Sequence, residues 1–135
     1  MKSFLPVLVC LMCCFNGYSQ NADNIYLRHD HNYGSVYSYA VTEFIIHSDS
    51  TYTRKDYDLS SKKEWINYKQ YTPEISKGKI HTKGKFQILT AYRNGYKTDF
   101  FWTVKIKKRK LIFYIEGKKG TMLRTVTYKR IKTID

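Results

Sequence analysis

The sequence predicts an all-β domain, an antiparallel meander of seven or eight strands that closes into a small barrel or a strongly curved sheet, with at most one short helix. The chain has 13 Tyr, 7 Phe and 2 Trp, and aromatic and β-branched residues suit pleated, half-buried surfaces. Turn residues recur about every ten residues after Pro73, as expected for consecutive hairpins. Hairpins bury their shared apolar face most economically by closing, which favours a barrel over a flat two-layer sandwich.

Residues 1–19 have the pattern of a secretory signal peptide. Lys2 supplies a positive charge, residues 4–15 are largely apolar, and Gly17 and Ser19 supply the small residues of a cleavage site. We expect cleavage before Gln20 and a mature protein in the periplasm or outside the cell. The apolar run is shorter than the roughly 20 residues that a spanning helix needs, so we predict no transmembrane segment.

All 3 cysteines of the chain lie inside the predicted signal peptide. A lipoprotein needs a small residue just before the acylated cysteine, whereas Val9, Met12 and Cys13 hold those positions. We therefore favour plain secretion over a lipid anchor, and an uncleaved anchor is the remaining alternative. Cleavage would leave no cysteine, and with it no disulfide, cysteine-ligated zinc or cysteine nucleophile.

The mature chain is expected to form one domain, because two cores within about 115 residues would each be too small to stand alone. Residues 20–33 are mostly polar and are interpreted as a leader that adds at most a short first strand. Residues 34–135 are expected to form the barrel-like domain.

The first predicted elements are a strand over residues 35–42 and a hairpin. In the hairpin, the β-prone runs 43–47 and 51–57 flank Ser48-Asp49-Ser50, whose short polar side chains favour a tight turn. Residues 60–71 allow two interpretations. Ser61 and Glu64 have the spacing of a capping box that begins a short helix, and an alternating strand over residues 65–71 is equally compatible with the sequence.

The remaining strands follow as a meander. Strands over residues 75–82 and 85–92 are separated by Lys83-Gly84, and Asn94-Gly95 marks the next hairpin. An alternating strand reaches Ile106. After the reversal at residues 107–110, strands are predicted from Leu111 to Ile115 and over residues 122–131, with a turn at 117–120.

Positive charge is concentrated near the C-terminus. The formal net charge is +13, and residues 104–132 hold eleven Lys or Arg residues against one acid, Glu116. Such a face attracts anionic envelope polysaccharide, lipid head groups or an acidic protein, and export argues against nucleic acid. Lysines that only maintain solubility and block edge strands are an equally weighted alternative. The candidate anion-binding residues are Lys105, Lys107, Lys108, Arg109, Lys110, Lys118, Lys119, Arg124, Lys129 and Arg130.

The histidines give weaker indications of chemistry. On a strand, His29 and His31 would project to one face and bind a metal if a third ligand approached. A solvated polar leader explains them better, and we predict neither a metal nor another cofactor. His47 near Asp49, and the isolated His81, are expected to be ordinary surface or core histidines.

Four stretches carry a resemblance to a known family: Gly34 with Tyr37, and residues 49–52, 78–89 and 128–131. In this order they resemble the small exported lipocalin-like proteins of Gram-negative bacteria, in which Asp-Ser-Thr-Tyr ends a strand and a Gly-x-Trp-x-x-x-Gly hairpin precedes a C-terminal meander. Ile80 stands where that pattern has Trp. The resemblance implies a short barrel-like domain of mostly unassigned function and supplies no site residues.

These observations predict an exported, non-enzymatic binding or interaction module that uses its basic C-terminal face. The first alternative is a carrier that holds a small apolar ligand inside the barrel. A small hydrolase-type enzyme with a His/Asp pair is a further alternative, although the sequence contains no Gly-x-Ser-x-Gly, His-Glu-x-x-His or glycine-rich phosphate motif.

Overall fold

The computed structural model describes residues 23–132, which form eight antiparallel strands in a closed barrel. Each strand pairs with the next along the chain, and β8 pairs with β1. The predicted barrel is therefore confirmed. Within the described residues no helix is long and apolar enough to cross a membrane. The strands are β1 (Asn24–Tyr33), β2 (Tyr37–Ile46), β3 (Thr51–Leu59), β4 (Glu74–Lys83), β5 (Phe86–Arg93), β6 (Tyr96–Ile106), β7 (Lys110–Glu116) and β8 (Met122–Ile131), with 3-10 helices at Lys62–Gln70 and Lys118–Gly120.

The hairpins alternate between the two ends of the barrel, because neighbouring strands are antiparallel throughout. The lower end carries the β2–β3, β4–β5 and β6–β7 hairpins, together with the start of β1 and the end of β8. The upper end carries the β1–β2, β5–β6 and β7–β8 hairpins and the connection between β3 and β4. This alternation decides which charged turns become neighbours.

The structure makes residues 24–33 a full strand, where the sequence suggested a polar leader. β1 pairs with β2 along its whole length and with β8 from Ile25 to Leu27. Its inward positions continue from the buried Tyr26 into Arg28 and Asp30, which form an ion pair at 3.2 Å. These polar inward positions break the apolar alternation that marks a strand in a sequence, which is why β1 was predicted too short.

The hairpin turns form where the sequence predicted them. Asp49 Oδ1 accepts hydrogen bonds from the backbone N–H and the hydroxyl of Thr51, at 3.2 and 2.5 Å. Asn94 and Gly95 have φ values of 51° and 80°, as a two-residue type I′ hairpin requires. Both turns are thus specified by local side-chain and backbone preferences.

Residues 62–70 form a 3-10 helix, which settles the choice between helix and strand. The predicted capping box is displaced by one residue. The Glu64 carboxylate accepts hydrogen bonds from the backbone N–H and the hydroxyl of Ser60, at 2.9 and 2.8 Å, and Ser61 makes no side-chain cap. Glu64 still accepts a hydrogen bond from a backbone N–H just before the helix, which is the physical role of the glutamate in a capping box.

Aromatic rings fill the middle of the barrel. The Phe44 ring lies 5.7 Å from Trp102, 5.3 Å from Phe113 and 5.2 Å from Tyr128, measured between centroids. The Tyr52 ring lies 6.0 Å from the Phe44 ring. These distances are typical of packed aromatic pairs. A carrier of a small apolar ligand would need a cavity in this space, which the aromatic rings fill.

The 3-10 helix covers a second apolar cluster on the outside of the barrel. Tyr39, Val41, Tyr57 and Leu59 are buried there beneath Tyr68. Their positions alternate with those of the residues that face the interior. This external core explains why the outer face of β2 and β3 is as apolar as the inner one.

A buried acid lies at the edge of this external cluster. Glu43 is only 3% exposed and accepts a hydrogen bond from the Tyr68 hydroxyl. Burial, together with this hydrogen bond, raises the pKa of Tyr68 well above its usual value. The bond therefore anchors the helix to β2 through the Tyr68 hydroxyl and the Glu43 side chain.

Gly78 is required by a close approach between β4 and its neighbours. A Cβ atom there would collide with the carbonyl oxygen of Thr90 and would lie 2.5 Å from Tyr52 Cε1. We expect Gly78→Ala to lower the free energy of unfolding by about 3 kcal/mol, because neither the backbone nor a packed ring can move away. Urea denaturation measures this change. Gly34→Ala is the control, since its new atom would meet nothing closer than 3.7 Å, and an equal loss in both variants would contradict the packing argument.

Candidate functional site

The structure divides the predicted basic face between three places. Most of its residues lie at the lower end of the barrel, at the β6–β7 hairpin and the end of β8. Lys105 lies on the outer wall of β6, paired in register with Ile112. Lys118, Lys119 and Arg124 lie at the upper end, on and beside the β7–β8 connection. The candidates therefore do not form one continuous surface.

The β4–β5 hairpin adds two cations to the lower end that were missed in the sequence. Lys83 and Lys85 flank Gly84 at the tip of this hairpin and are exposed. These two lysines lie outside the basic C-terminal segment of the sequence, and the alternation of hairpins brings segments about twenty residues apart to the same end of the barrel. We call the resulting surface the basic end. It consists of Lys83, Lys85, Lys107, Lys108, Arg109, Lys110, Lys129, Arg130 and Lys132.

The β6–β7 hairpin is fixed to the barrel by three hydrogen bonds to its carbonyl oxygens. The Tyr26 hydroxyl donates to Lys107 O at 2.7 Å. Arg130 donates twice, from its backbone N–H to Arg109 O at 2.9 Å and from Nη1 to Lys108 O at 3.2 Å. Burial raises the pKa of Tyr26, against an opposing effect of the Arg130 charge. The hairpin backbone is thus held in place while Lys107, Lys108 and Arg109 are exposed and Lys110 is half-buried.

The ion pairs among residues 23–132 leave the basic end out. They are Arg28–Asp30, His47–Asp23 and Arg54–Asp56, at N–O distances of 3.2, 3.0 and 2.9 Å. None contains a cation of the basic end. Within residues 23–132, the charges of that end are thus not neutralised by a carboxylate in an ion pair.

Lys105 is held against two rings on the outer wall. Its Nζ lies 5.1 Å from the centroid of Phe86 and 5.3 Å from that of Tyr114. The two rings also contact each other edge to face, 5.2 Å apart. Cation–π contacts of this kind contribute about 0.5–1 kcal/mol at exposed sites. Lys105 therefore has a structural role beside whatever it contributes to binding.

The two weak metal candidates are engaged with tyrosines. His29 Nδ1 is 2.6 Å from the Tyr39 hydroxyl, and His31 Nδ1 is 2.8 Å from the Tyr37 hydroxyl. Within the described part of the chain, no group of three or more His, Cys, Asp or Glu residues is arranged to hold a metal ion. The histidines do share one face of β1, as the sequence predicted, but that face is aromatic.

A groove of about 960 Å³ runs along β3 and β4 and contains a chain of hydrogen bonds. His47 Nδ1 lies 3.0 Å from Asp23 Oδ2, and His47 Nε2 lies 2.8 Å from Thr53 Oγ1. The sequence placed His47 near Asp49, and the structure gives it Asp23 instead. Carboxylate, imidazole and hydroxyl follow one another in the order found in hydrolase triads.

The stability of the protein should depend on pH through His29. Burial, with a smaller contribution from Lys62, lowers the pKa of His29. The unfolded chain then binds more protons than the folded one as the pH falls below about 6.5, so the free energy of unfolding decreases. We expect thermal denaturation between about pH 7.5 and pH 5 to show a smaller decrease for His29→Gln than for the wild type. His81→Gln, at an exposed position on β4, is the control, and parallel curves for wild type and His29→Gln would contradict the assignment.

Comparison of this chain with protein-family models, with curated proteins and with solved structures finds no match.

Proposed function

We propose that the protein is an exported, non-enzymatic binding module whose basic end contacts anionic components of the cell envelope. The observation that carries the proposal is the collection of nine Lys and Arg residues at one end of the barrel, outside the ion pairs of the described residues. The predicted signal peptide, which lies outside the described residues, supports a location in the envelope.

The barrel weakens the main alternative explanation for these lysines. Lysines protect a sheet from edge-to-edge association when its edge strands are exposed. Here β1 and β8 pair with each other at the lower end, from Ile25 to Leu27 of β1, so the strand edges beside the basic end are already covered. The remaining non-binding explanation for these lysines is solubility, and solubility does not require the cations to gather at one end of the barrel.

The fixed hairpin makes the basic end suited to a polymeric or membrane-bound anion. Cations held on a rigid backbone lose less conformational freedom on binding than cations on a flexible tail. Their attraction for phosphate or carboxylate groups extends over about 8 Å at physiological ionic strength. A ligand with many regularly repeated anions therefore gains from several contacts at once.

We expect the wild-type protein to bind lipopolysaccharide and heparin at low salt and to release both as salt is raised. The test variant is Lys107→Gln/Lys108→Gln/Lys110→Gln at the lower end, and the matched control is Lys118→Gln/Lys119→Gln/Arg124→Gln at the upper end. Each cation near an anionic surface contributes on the order of 1 kcal/mol, so the lower-end variant should bind at least about tenfold more weakly. Titration at fixed salt measures the affinities.

Two results would refute this function. One is the absence of binding by the wild type at low salt. The other is an equal loss in both triple variants, which would show that net charge alone, rather than the basic end, governs retention.

A second candidate function is hydrolysis, because the groove along β3 and β4 contains the Asp23–His47–Thr53 chain. In this scheme His47 Nε2 takes the proton of the Thr53 hydroxyl as that oxygen attacks the carbonyl carbon of an ester, and Asp23 stabilises the protonated imidazole. His47 then gives the proton to the leaving alkoxide as the ester C–O bond breaks, and a water molecule, deprotonated by His47 in the same way, releases the acyl group from Thr53. Lys77 pairs with Thr53 in register and supplies a positive charge nearby. These three hydrogen-bonded side chains are partly exposed, and the Asp23 side chain is 48% exposed.

Hydrolysis of p-nitrophenyl acetate tests this second candidate. A general base contributes about 100- to 10,000-fold to a rate. Turnover that falls at least about hundredfold in His47→Ala, and not in the control His81→Ala, would establish the activity. Equal rates in wild type and His47→Ala would show that the three groups serve only to hold the β2–β3 hairpin.

A further inference from the structure

The outer face of β1 and β2 at the upper end carries a row of polar-edged rings that neither the basic end nor the groove uses. The imidazole of His29 stacks on Trp65 with 3.7 Å between centroids, and it contacts Tyr39 at 5.8 Å. The row continues through His31, which lies 5.0 Å from Tyr39. It ends at the β1–β2 hairpin. We call it the aromatic ladder, and its members are Trp65, His29, Tyr39, His31, Tyr37 and Tyr33.

The distal part of the ladder is exposed to solvent. Tyr33 is 79% exposed and Tyr37 is 43% exposed, and His31 is exposed as well. Their centroids are 5.7 to 5.9 Å apart, so the three rings form one surface. Rings needed only for the core would lie inside the barrel or under the 3-10 helix, as Tyr39 does. The exposed rings present their surface to solvent or a ligand and do not pack against the core.

The ladder is held rigidly before any ligand binds. Tyr33 pairs with Tyr37, and His31 with Tyr39, in the β1–β2 register. The Tyr37 hydroxyl is joined to His31, and the Tyr39 hydroxyl to His29, by the hydrogen bonds described above. These hydrogen bonds restrain the rings of His29, Tyr39, His31 and Tyr37, and Tyr33 stacks on His31, so binding costs little side-chain entropy.

The chemistry of the ladder matches that of a sugar ring. Each member has an apolar face for C–H groups and a polar edge, a phenol, an imidazole or an indole N–H, for hydroxyl groups. The chain also exposes Phe100 and Phe101, at 56% and 57%, but on β6 and not in the ladder. The row thus contains no phenylalanine. A purely hydrophobic partner would bind phenylalanine as well as tyrosine or histidine, so the polar ring edges favour a partner with hydroxyl groups.

We propose that the aromatic ladder is a carbohydrate-stacking site that binds the rings of a neutral polysaccharide. The sugar lies across Tyr33, Tyr37 and His31, and its hydroxyl groups bond to the exposed ring edges. Because the row contains no lysine or carboxylate, its affinity is insensitive to salt, unlike that of the basic end. The ladder lies at the upper end of the barrel and is thus spatially separate from the basic end.

Affinity electrophoresis at high ionic strength tests the site, with gels containing soluble glucan, mannan or xylan. We expect at least one of these polysaccharides to retard the wild type. Tyr33→Ala should lower the association constant about threefold to tenfold, and Tyr33→Ala/Tyr37→Ala should abolish retardation, because each lost ring removes a stacking contact. Tyr33→Phe should keep most of the binding, since it preserves the ring face.

Tyr96→Ala is the matched control, because Tyr96 is also 79% exposed but lies on β6. The variants alter exposed side chains, and equal unfolding midpoints would confirm that they fold. The proposal is overturned if none of the three polysaccharides retards the wild type, or if Tyr96→Ala weakens binding as much as Tyr33→Ala. Ladder-dependent retardation by oligothymidylate and by none of the polysaccharides would likewise overturn it, in favour of nucleobase stacking.

Discussion

The architecture depends on a short junction between the first and last strands. β1 and β8 pair through three residue pairs, Ile25 with Ile131, Tyr26 with Arg130 and Leu27 with Lys129. This pairing converts an open meander into a barrel and covers both outer strands at the lower end. It also brings Tyr26 and Arg130 to the carbonyl oxygens of the β6–β7 hairpin. The strand pairing that closes the barrel therefore also fixes the position of the basic end.

β1 then contributes to two different surfaces along its length. Near the lower end its inward Tyr26 fixes the cationic hairpin, and near the upper end its outward His29 and His31 carry the aromatic ladder. Alternation of side chains along a strand makes this possible, because the two faces can be used independently. A single substitution in β1 therefore affects one surface while the backbone pairing that supports the other is retained.

Local signals in the sequence predicted the hairpins well, and long-range contacts account for what was missed. Asn94-Gly95 determines its turn through backbone conformations that few other residues adopt. By contrast, β8, the second partner of β1, is more than one hundred residues away, and the polar inward residues of β1 break the apolar alternation that marks a strand. The grouping of Lys83 with Lys107 also requires the topology, since no property of either segment points to the other.

The same distinction applies to the aromatic ladder and clarifies how the two proposed surfaces relate. The sequence placed His29 and His31 on one face, but their tyrosine partners come from β2 and Trp65 from the 3-10 helix. Binding to the cations at the lower end weakens as salt is raised, whereas binding to the uncharged rings at the upper end does not depend on salt. A glycan that contains both charged and neutral segments and spans the barrel would engage the two ends additively. Its affinity would fall with salt only to the level set by the ladder, whereas separate ligands would titrate independently.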